Sequence, residues 1–233
     1  MKKFGFTLVE VMIALSIIGV VASLTIPTFV SETNNKANAN KLATTVSTIE
    51  NAFTSMIANE GVQDLSETAF ASSPTTSNLS NYLKISGSAD DYTTLYGKET
   101  PYRTISSSNA IAPSISKAFF TKNGAYLIYA SSDSTRTGNV ESCGGTMYST
   151  TGHLAIDVNG NAKPNILGRD VFYFRVGYDG VLYPSGSLNY SILQQNTCTD
   201  LWNSSSSNYI CTNSSKGEGC TARLIENNYE VDY

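Results

Sequence analysis

Residues 1–30 read MKKFGFTLVEVMIALSIIGVVASLTIPTFV, and their reading decides the fold. Two lysines stand at positions 2 and 3, and from residue 6 to residue 31 the only ionisable side chain is Glu10. As a helix, residues 6–25 span about 30 Å, the thickness of a bilayer's hydrocarbon core. A secretory signal peptide would have an apolar region of about 7–15 residues followed by a small-residue cleavage site. This run is longer and carries its acid near the start, so it reads as a membrane helix. Lys2 and Lys3 keep the N-terminus cytoplasmic and place everything after the helix outside. A carboxylate inside such a helix costs about 2.5–3.5 kcal/mol at the centre and less near the end, so Glu10 calls for a cationic partner.

Lys2-Lys3-Phe4-Gly5 followed by Phe6-Thr7-Leu8-Val9-Glu10 resembles the leader and cleavage site of type IV pilins and type II secretion pseudopilins. The resemblance covers about the first 30 residues and includes Pro27, near the end of the membrane segment. It implies a prepilin peptidase that cuts between Gly5 and Phe6 and N-methylates Phe6. It further implies that Glu10 pairs with the charged N-terminus of a neighbouring subunit during assembly. The implied protein is a structural filament subunit, not an enzyme, held in the inner membrane by a single pass with its C-terminal domain outside the cytoplasm. Its implied partners are other pilin or pseudopilin subunits, the peptidase, an inner-membrane assembly platform driven by a cytoplasmic ATPase, and membrane lipid. After assembly it would stand in a periplasmic or extracellular filament. A pseudopilin or minor pilin is the first reading. A major pilin for adhesion, motility or DNA uptake, or an anchored surface protein that never polymerises, are the alternatives.

The charge balance suits an exported domain. The chain carries −4 overall, and loss of Lys2 and Lys3 leaves 13 basic against 19 acidic side chains, a net of −6. No basic run could neutralise several phosphates, so nucleic acid is not an expected partner. The four cysteines, Cys143, Cys198, Cys211 and Cys220, lie in the exported part, where an even count reads as two disulfides. Three of them fall near the C-terminus, so at least one bridge should staple that region. The favoured pairing joins Cys198 to Cys220 or Cys211 and leaves Cys143 to tie in the central sheet. Zinc is disfavoured, since there is no Cys-x-x-Cys pair and His153 is the sole histidine.

Beyond the leader (1–5) and the membrane part of the helix (6–29), residues 30–60 continue as an amphipathic half. Leu42, Val46, Ile49, Phe53 and Met56 recur at helical spacing, and Gly61 is a natural stop. Residues 61–122 are rich in Ser and Thr with poor periodicity, and read as an extended connection holding one or two short helices. Strand signals fill 123–195: AYLIYAS (125–131), HLAIDV (153–158), VFYFRV (171–176), and then Asp179-Gly180 before Val181-Leu182-Tyr183, a hairpin signature. Residues 196–233 form the disulfide-containing end, with a short helix, a turn at Asn227-Asn228 and a closing strand. The expected fold is α+β and pilin-like, a long N-terminal helix packed on a small antiparallel sheet of three to five strands.

Asp157, Asn159 and Asn161 place oxygen side chains at alternate positions, with Asn165 and Asp170 following, as at the opening of a calcium loop. Possible calcium is therefore the one cofactor expectation, on Asp157, Asn159, Asn161 and Asp170. Ala162 stands where such loops carry glycine, and no glutamate occupies the twelfth position. Major pseudopilins carry a calcium site near the end of their sheet, but this loop does not align with it residue by residue. The competing reading is a plain turn, since Asn159-Gly160 and Asn161 accept positive φ. Catalysis has little support: His153 sits in a strand pattern without a nucleophile or a metal-ligand cluster. The aromatics Tyr183, Tyr190, Trp202, Tyr209, Tyr229 and Tyr233 read first as core and rim, and second as an adhesive surface.

Overall fold

The first 60 residues are dominated by one helix, α1 (Leu8–Glu60), seen in a computed structural model that describes residues 5, 7–97, 102–106, 115–131, 137–139, 147–188, 201–203, 209–212 and 214–233. At 53 residues it is about 80 Å long. Thr7 caps its start and Gly61, at φ 67°, ends it with an N–H donated to the Ile57 carbonyl. Pro27 lies inside it, and the helical assignment continues through. The two halves differ sharply. Large apolar residues from Leu8 to Val30 are exposed, whereas Ala39, Leu42, Val46, Ile49, Ala52, Phe53 and Met56 are buried. That stripe recurs every three or four residues, which places it on one face of the helix.

The buried face lies on an antiparallel sheet with path β1 (Ile85–Ala89), β2 (Lys117–Thr121), β3 (Tyr126–Ser131), β5 (Met147–Asp157), β6 (Val171–Gly177) and β7 (Leu182–Pro184). A short β4 (Thr137–Asn139) pairs only with β5. Alternation along each strand gives the sheet two packed faces. Leu127, Tyr129, Leu154, Ile156, Phe172 and Phe174 join the α1 stripe in one core. Ile128, Ala155 and Val171 point to the opposite face, where Tyr92, Leu95 and Tyr102 cover them.

Tyr92 and Leu95 belong to α4 (Tyr92–Tyr96), inside the Ser/Thr-rich stretch, which therefore covers the second face of the sheet and is not a mere connection. The same stretch supplies a 3-10 turn (Leu65–Glu67), α2 (Ala69–Ser72), α3 (Thr76–Ser80) and strands β1 and β2. The sheet thus begins at Ile85, not near residue 123, and has more strands than the three to five expected. The reason is local. β1 reads ISGSA, too small and polar to signal a strand, and is held by pairing with β2 across a register shift between Ile85 and Gly87.

The hairpin at Asp179-Gly180 is present: Gly177 N–H donates to the Val181 carbonyl at 2.9 Å, and Gly180 has φ 79°. After it the chain returns as α5 (Cys220–Glu226), whose Thr221 hydroxyl accepts from the Tyr173 N–H at 3.1 Å. A turn at Asn227-Asn228 follows, as expected, but no closing strand. The tail is held by side chains instead. The Tyr233 ring lies 5.1 Å from the Arg169 guanidinium and 5.4 Å from that of Arg223, which also pairs with Asp232 at 2.8 Å.

Cys211 and Cys220 form a disulfide, which corrects the favoured pairing of Cys198 with one of these two. Hydrogen bonds from Cys211 N–H to the Trp202 carbonyl and from Arg223 Nη1 to the Cys211 carbonyl fold the intervening loop back on α5. Cys143 and Cys198 lie outside the described residues. Closing a nine-residue separation stabilises the fold by about 2–3 kcal/mol through the unfolded chain. Cys220→Ser is therefore expected to lower the free energy of unfolding by about that amount, measured by chemical denaturation without reductant against wild type.

Candidate functional site

Two places in the fold can carry function: the exposed start of α1, and the loop joining β5 to β6. At the first, Thr7 and Glu10 cap one another. The Glu10 carboxylate accepts from the Thr7 N–H and from the Thr7 hydroxyl, both at 2.8 Å, and Thr7 Oγ1 accepts from the Glu10 N–H at 3.3 Å. This capping box satisfies two helix-start donors reciprocally. Along the same apolar half, the hydroxyls of Ser16, Ser23, Thr25 and Thr28 donate to carbonyls three or four residues back. Polar groups in a span must be satisfied within it, and here each hydroxyl finds its own turn. This half of the helix thus offers lipid or a neighbouring helix an apolar surface, with Glu10 as its one ionisable side chain. Gly5 is exposed; Lys2, Lys3, Phe4 and Phe6 lie outside the described residues.

At the second place, strand register sets Asp157 at the last pair of β5 with β6, directly before the loop, and Asp170 directly before β6. Both carboxylates are fully buried. Asn159 links them: its N–H donates to Asp157 Oδ1 at 3.2 Å and its Nδ2 to Asp170 Oδ2 at 3.3 Å. Asp170 also accepts from the N–H groups of Asn165 and Ile166. On the far side, the Tyr96 hydroxyl donates to Asp157 Oδ2 and lies 2.9 Å from the Tyr102 hydroxyl. Burial pushes Asp157 up to about 7, helped by the neighbouring Asp170 and opposed by the Tyr96 hydrogen bond. Burial pushes Asp170 up to about 6, against the N–H donors that favour its charged form.

The loop is also a junction. Asn38 of α1 donates to the Arg169 carbonyl, and the backbone of Arg103 pairs with Asn165 and Leu167. Of the oxygen side chains read from the sequence, Asp157, Asn159 and Asp170 come together, while Asn161 is exposed at the loop tip. Asn165 is the buried member in its place. Tyr96 and Tyr102 were not legible as part of this cluster; their spacing in the sequence reads only as core.

Elsewhere the residues weighed for chemistry have structural settings. His153 is half-buried on β5, opposite Ala130 and Arg175. Among the described residues no group of three or more His, Cys, Asp or Glu could hold a metal ion together. Tyr183 and Tyr233 are buried, and Trp202 donates from Nε1 to Glu226 at 2.7 Å. Tyr209 and Tyr229 are half-buried, and Tyr190 lies outside the described residues.

Residues 1–26 match the prokaryotic N-terminal methylation motif, the prepilin-type signal of type IV pilins and pseudopilins. No curated protein and no solved structure matches the chain. The long apolar helix behind this signal, the antiparallel sheet laid on its second half and the Cys211–Cys220 disulfide make the fold α+β and pilin-like.

Proposed function

We propose that this protein is a pseudopilin or minor pilin, a structural subunit of a type II secretion-like or type IV pilus filament. The observation that carries this reading is the division of α1. Its signal-bearing half is apolar and unburied, and its second half is the spine of a folded head. A helix with about 30 Å of exposed apolar surface needs lipid or other such helices around it, and a filament core supplies the latter.

In this mechanism the peptidase cuts after Gly5 and leaves Phe6 with a methylated, cationic amine. Before assembly the capping box with Thr7 keeps the Glu10 carboxylate hydrogen-bonded in the membrane. On extraction into the filament, Glu10 pairs with the Phe6 ammonium of a neighbouring subunit. That contact lowers the desolvation cost of both charges and fixes their axial register. The head remains on the outer side of the inner membrane and then on the filament surface.

The length of the head and its Ser/Thr-rich stretch favour a low-copy, specialised subunit over a major one. Filaments sheared from the cells and quantified by mass spectrometry test both levels of the reading. The chain is expected in the filament fraction at a few per cent of the dominant subunit. Near-equal abundance with the whole filament mass would make it a major pilin, and its absence from filaments would leave an anchored surface protein.

A further inference from the structure

Between α1 and the β2–β3 hairpin lies a cleft of about 330 Å³, inside the range of small-molecule sites. Its floor is apolar, made by the buried side chains of Ile49 from α1, Leu83 from the turn before β1 and Leu127 from β3. Its mouth is cationic. Lys84 and Lys122 both line it, and the Lys122 N–H donates to the Lys84 carbonyl at 2.9 Å, which holds them side by side. Like charges set directly across a strand pair repel, yet neither lysine has an ion pair among the described residues. Lys36 and Lys117, by contrast, pair with Glu32 and Asp90. Among the described residues no acid lines the cleft. Glu50, next to Ile49 in sequence, is turned to the other edge of the sheet, where it accepts from the Leu182 N–H at 3.0 Å.

Two neutral groups add to this excess of donors. Thr44, Thr48, Thr54 and Ser55 of α1 each return their hydroxyl to the carbonyl four residues back. Thr45 does not. It is 4% exposed and lines the cleft, and its Oγ1 is buried without a hydrogen-bond partner. A buried hydroxyl left unpaired costs free energy that an acceptor on a ligand would recover. Asn123, also on the cleft, spends its Oδ1 on the Thr121 hydroxyl and the Ala125 N–H, which leaves its Nδ2 to donate elsewhere.

We propose that this cleft binds a small organic carboxylate with an apolar body. The carboxylate lies between Lys84 and Lys122, and the body covers Ile49, Leu83 and Leu127. Lysine is a flexible point charge with three donors, so two of them can close on one acid group without a fixed fork geometry. An inorganic anion would leave the apolar floor wet, and a neutral apolar molecule would leave both ammonium groups without a counter-charge. Only a ligand with both halves satisfies the cleft. Past Thr45 and Asn123 the cleft continues into a hollow of about 340 Å³ lined by Lys41, Ala125 and Val158, which gives a longer body room. The site stands apart from the filament reading, since it uses no residue of the membrane half of α1.

The probe is 4-(4-fluorophenyl)butyrate, followed by its fluorine resonance as it is added to the full chain in phosphatidylcholine nanodiscs, with empty discs as the blank. Saturable binding of one molecule per chain is expected, with a Kd of about 1 mM or tighter, ordinary for a ligand of about 13 non-hydrogen atoms. The neutral amide of the same acid lacks the charge, and acetate lacks the apolar body. Each is expected to bind at least about tenfold more weakly, the loss of one hydrogen bond to a charged group or of a comparable apolar contact. Lys84 and Lys122 are exposed, so the double variant Lys84→Gln/Lys122→Gln leaves the core alone. It is expected to lose at least about tenfold in affinity for the acid and little for the amide. Melting of the variant beside wild type separates loss of the site from loss of the fold. Absence of saturable binding by folded wild type up to about 10 mM acid, tenfold beyond the expected Kd, would overturn the proposal. Equal affinity for acid and amide, or unchanged affinity in the folded double variant, would overturn it equally.

Discussion

Glu10→Ala is expected to leave the head folded and the leader cleaved, and to lower incorporation into filaments about a hundredfold. The first buried head residue of α1, Ala39, stands 29 positions further on, about 44 Å along the axis, so the substitution cannot reach the core. Locally it removes the acceptor of the Thr7 N–H and hydroxyl, a loss of about 1 kcal/mol at a helix start. The larger effect lies between subunits. Removing one partner of a buried ion pair costs about 3–5 kcal/mol because the other charge is left unpaired, and about 3 kcal/mol is a factor of about a hundred. Glu10→Gln separates the two roles, since its amide oxygen can still accept from Thr7 while carrying no charge. Assembly of Glu10→Gln is expected to fail as badly as that of the alanine variant, measured by the ratio of filament-borne to membrane-borne chain. Assembly of the glutamine variant at wild-type levels would assign the residue to helix capping alone.

The second large effect falls on the head. Phe53 is 2% exposed at the centre of the α1 stripe, with its ring 5.5 Å from Phe70. Phe70 in turn lies 5.1 Å from Tyr129 and 6.4 Å from Phe119, so one ring links the helix to α2, β2 and β3. The turn before β7 also rests on it, since a Cβ at Gly180 would meet the Phe53 Cβ at 3.2 Å. Phe53→Ala should therefore leave a cavity that rigid sheet and helix cannot both close, at a cost of about 3–5 kcal/mol. That is a large share of the about 5–15 kcal/mol that holds a typical domain. Phe53→Leu keeps most of the volume and should cost less than about half as much. Denaturant unfolding followed by tyrosine fluorescence measures both. A loss below about 1 kcal/mol for the alanine variant would mean that α1 is not the spine of the head.

How much of this was legible from sequence follows from the range of the signals. The membrane half of α1, its amphipathic continuation, the stop at Gly61 and the β6–β7 hairpin all depend on residues within a few positions of each other. Periodicity and turn chemistry therefore exposed them. β1 and α4 were illegible because their stability comes from partners more than 25 residues away: β2 for the strand, and Ile128 and Ala155 beneath Tyr92 and Leu95. Composition also misled, since Ser and Thr that read as linker are here caps of short helices, as with Thr68 and Thr75. The cysteine pairing failed for a different reason. Spacing permits Cys198 or Cys211 to meet Cys220, and only the fold of the 211–220 loop decides between them. That bond leaves Cys143 and Cys198 as the other pair the sequence allows. In the β5–β6 loop, the alternating Asp157-Asn159 pattern was visible, but the exchange of Asn161 for Asn165 depends on which side of the turn is buried.

Intact mass and N-terminal sequencing of the protein purified from its own membranes test the filament account most directly. The account predicts a chain that begins at N-methylated Phe6, with residues 1–5 gone. A chain that still begins at Met1, in cells whose prepilin peptidase is active on other substrates, would contradict it and leave a simply anchored surface protein.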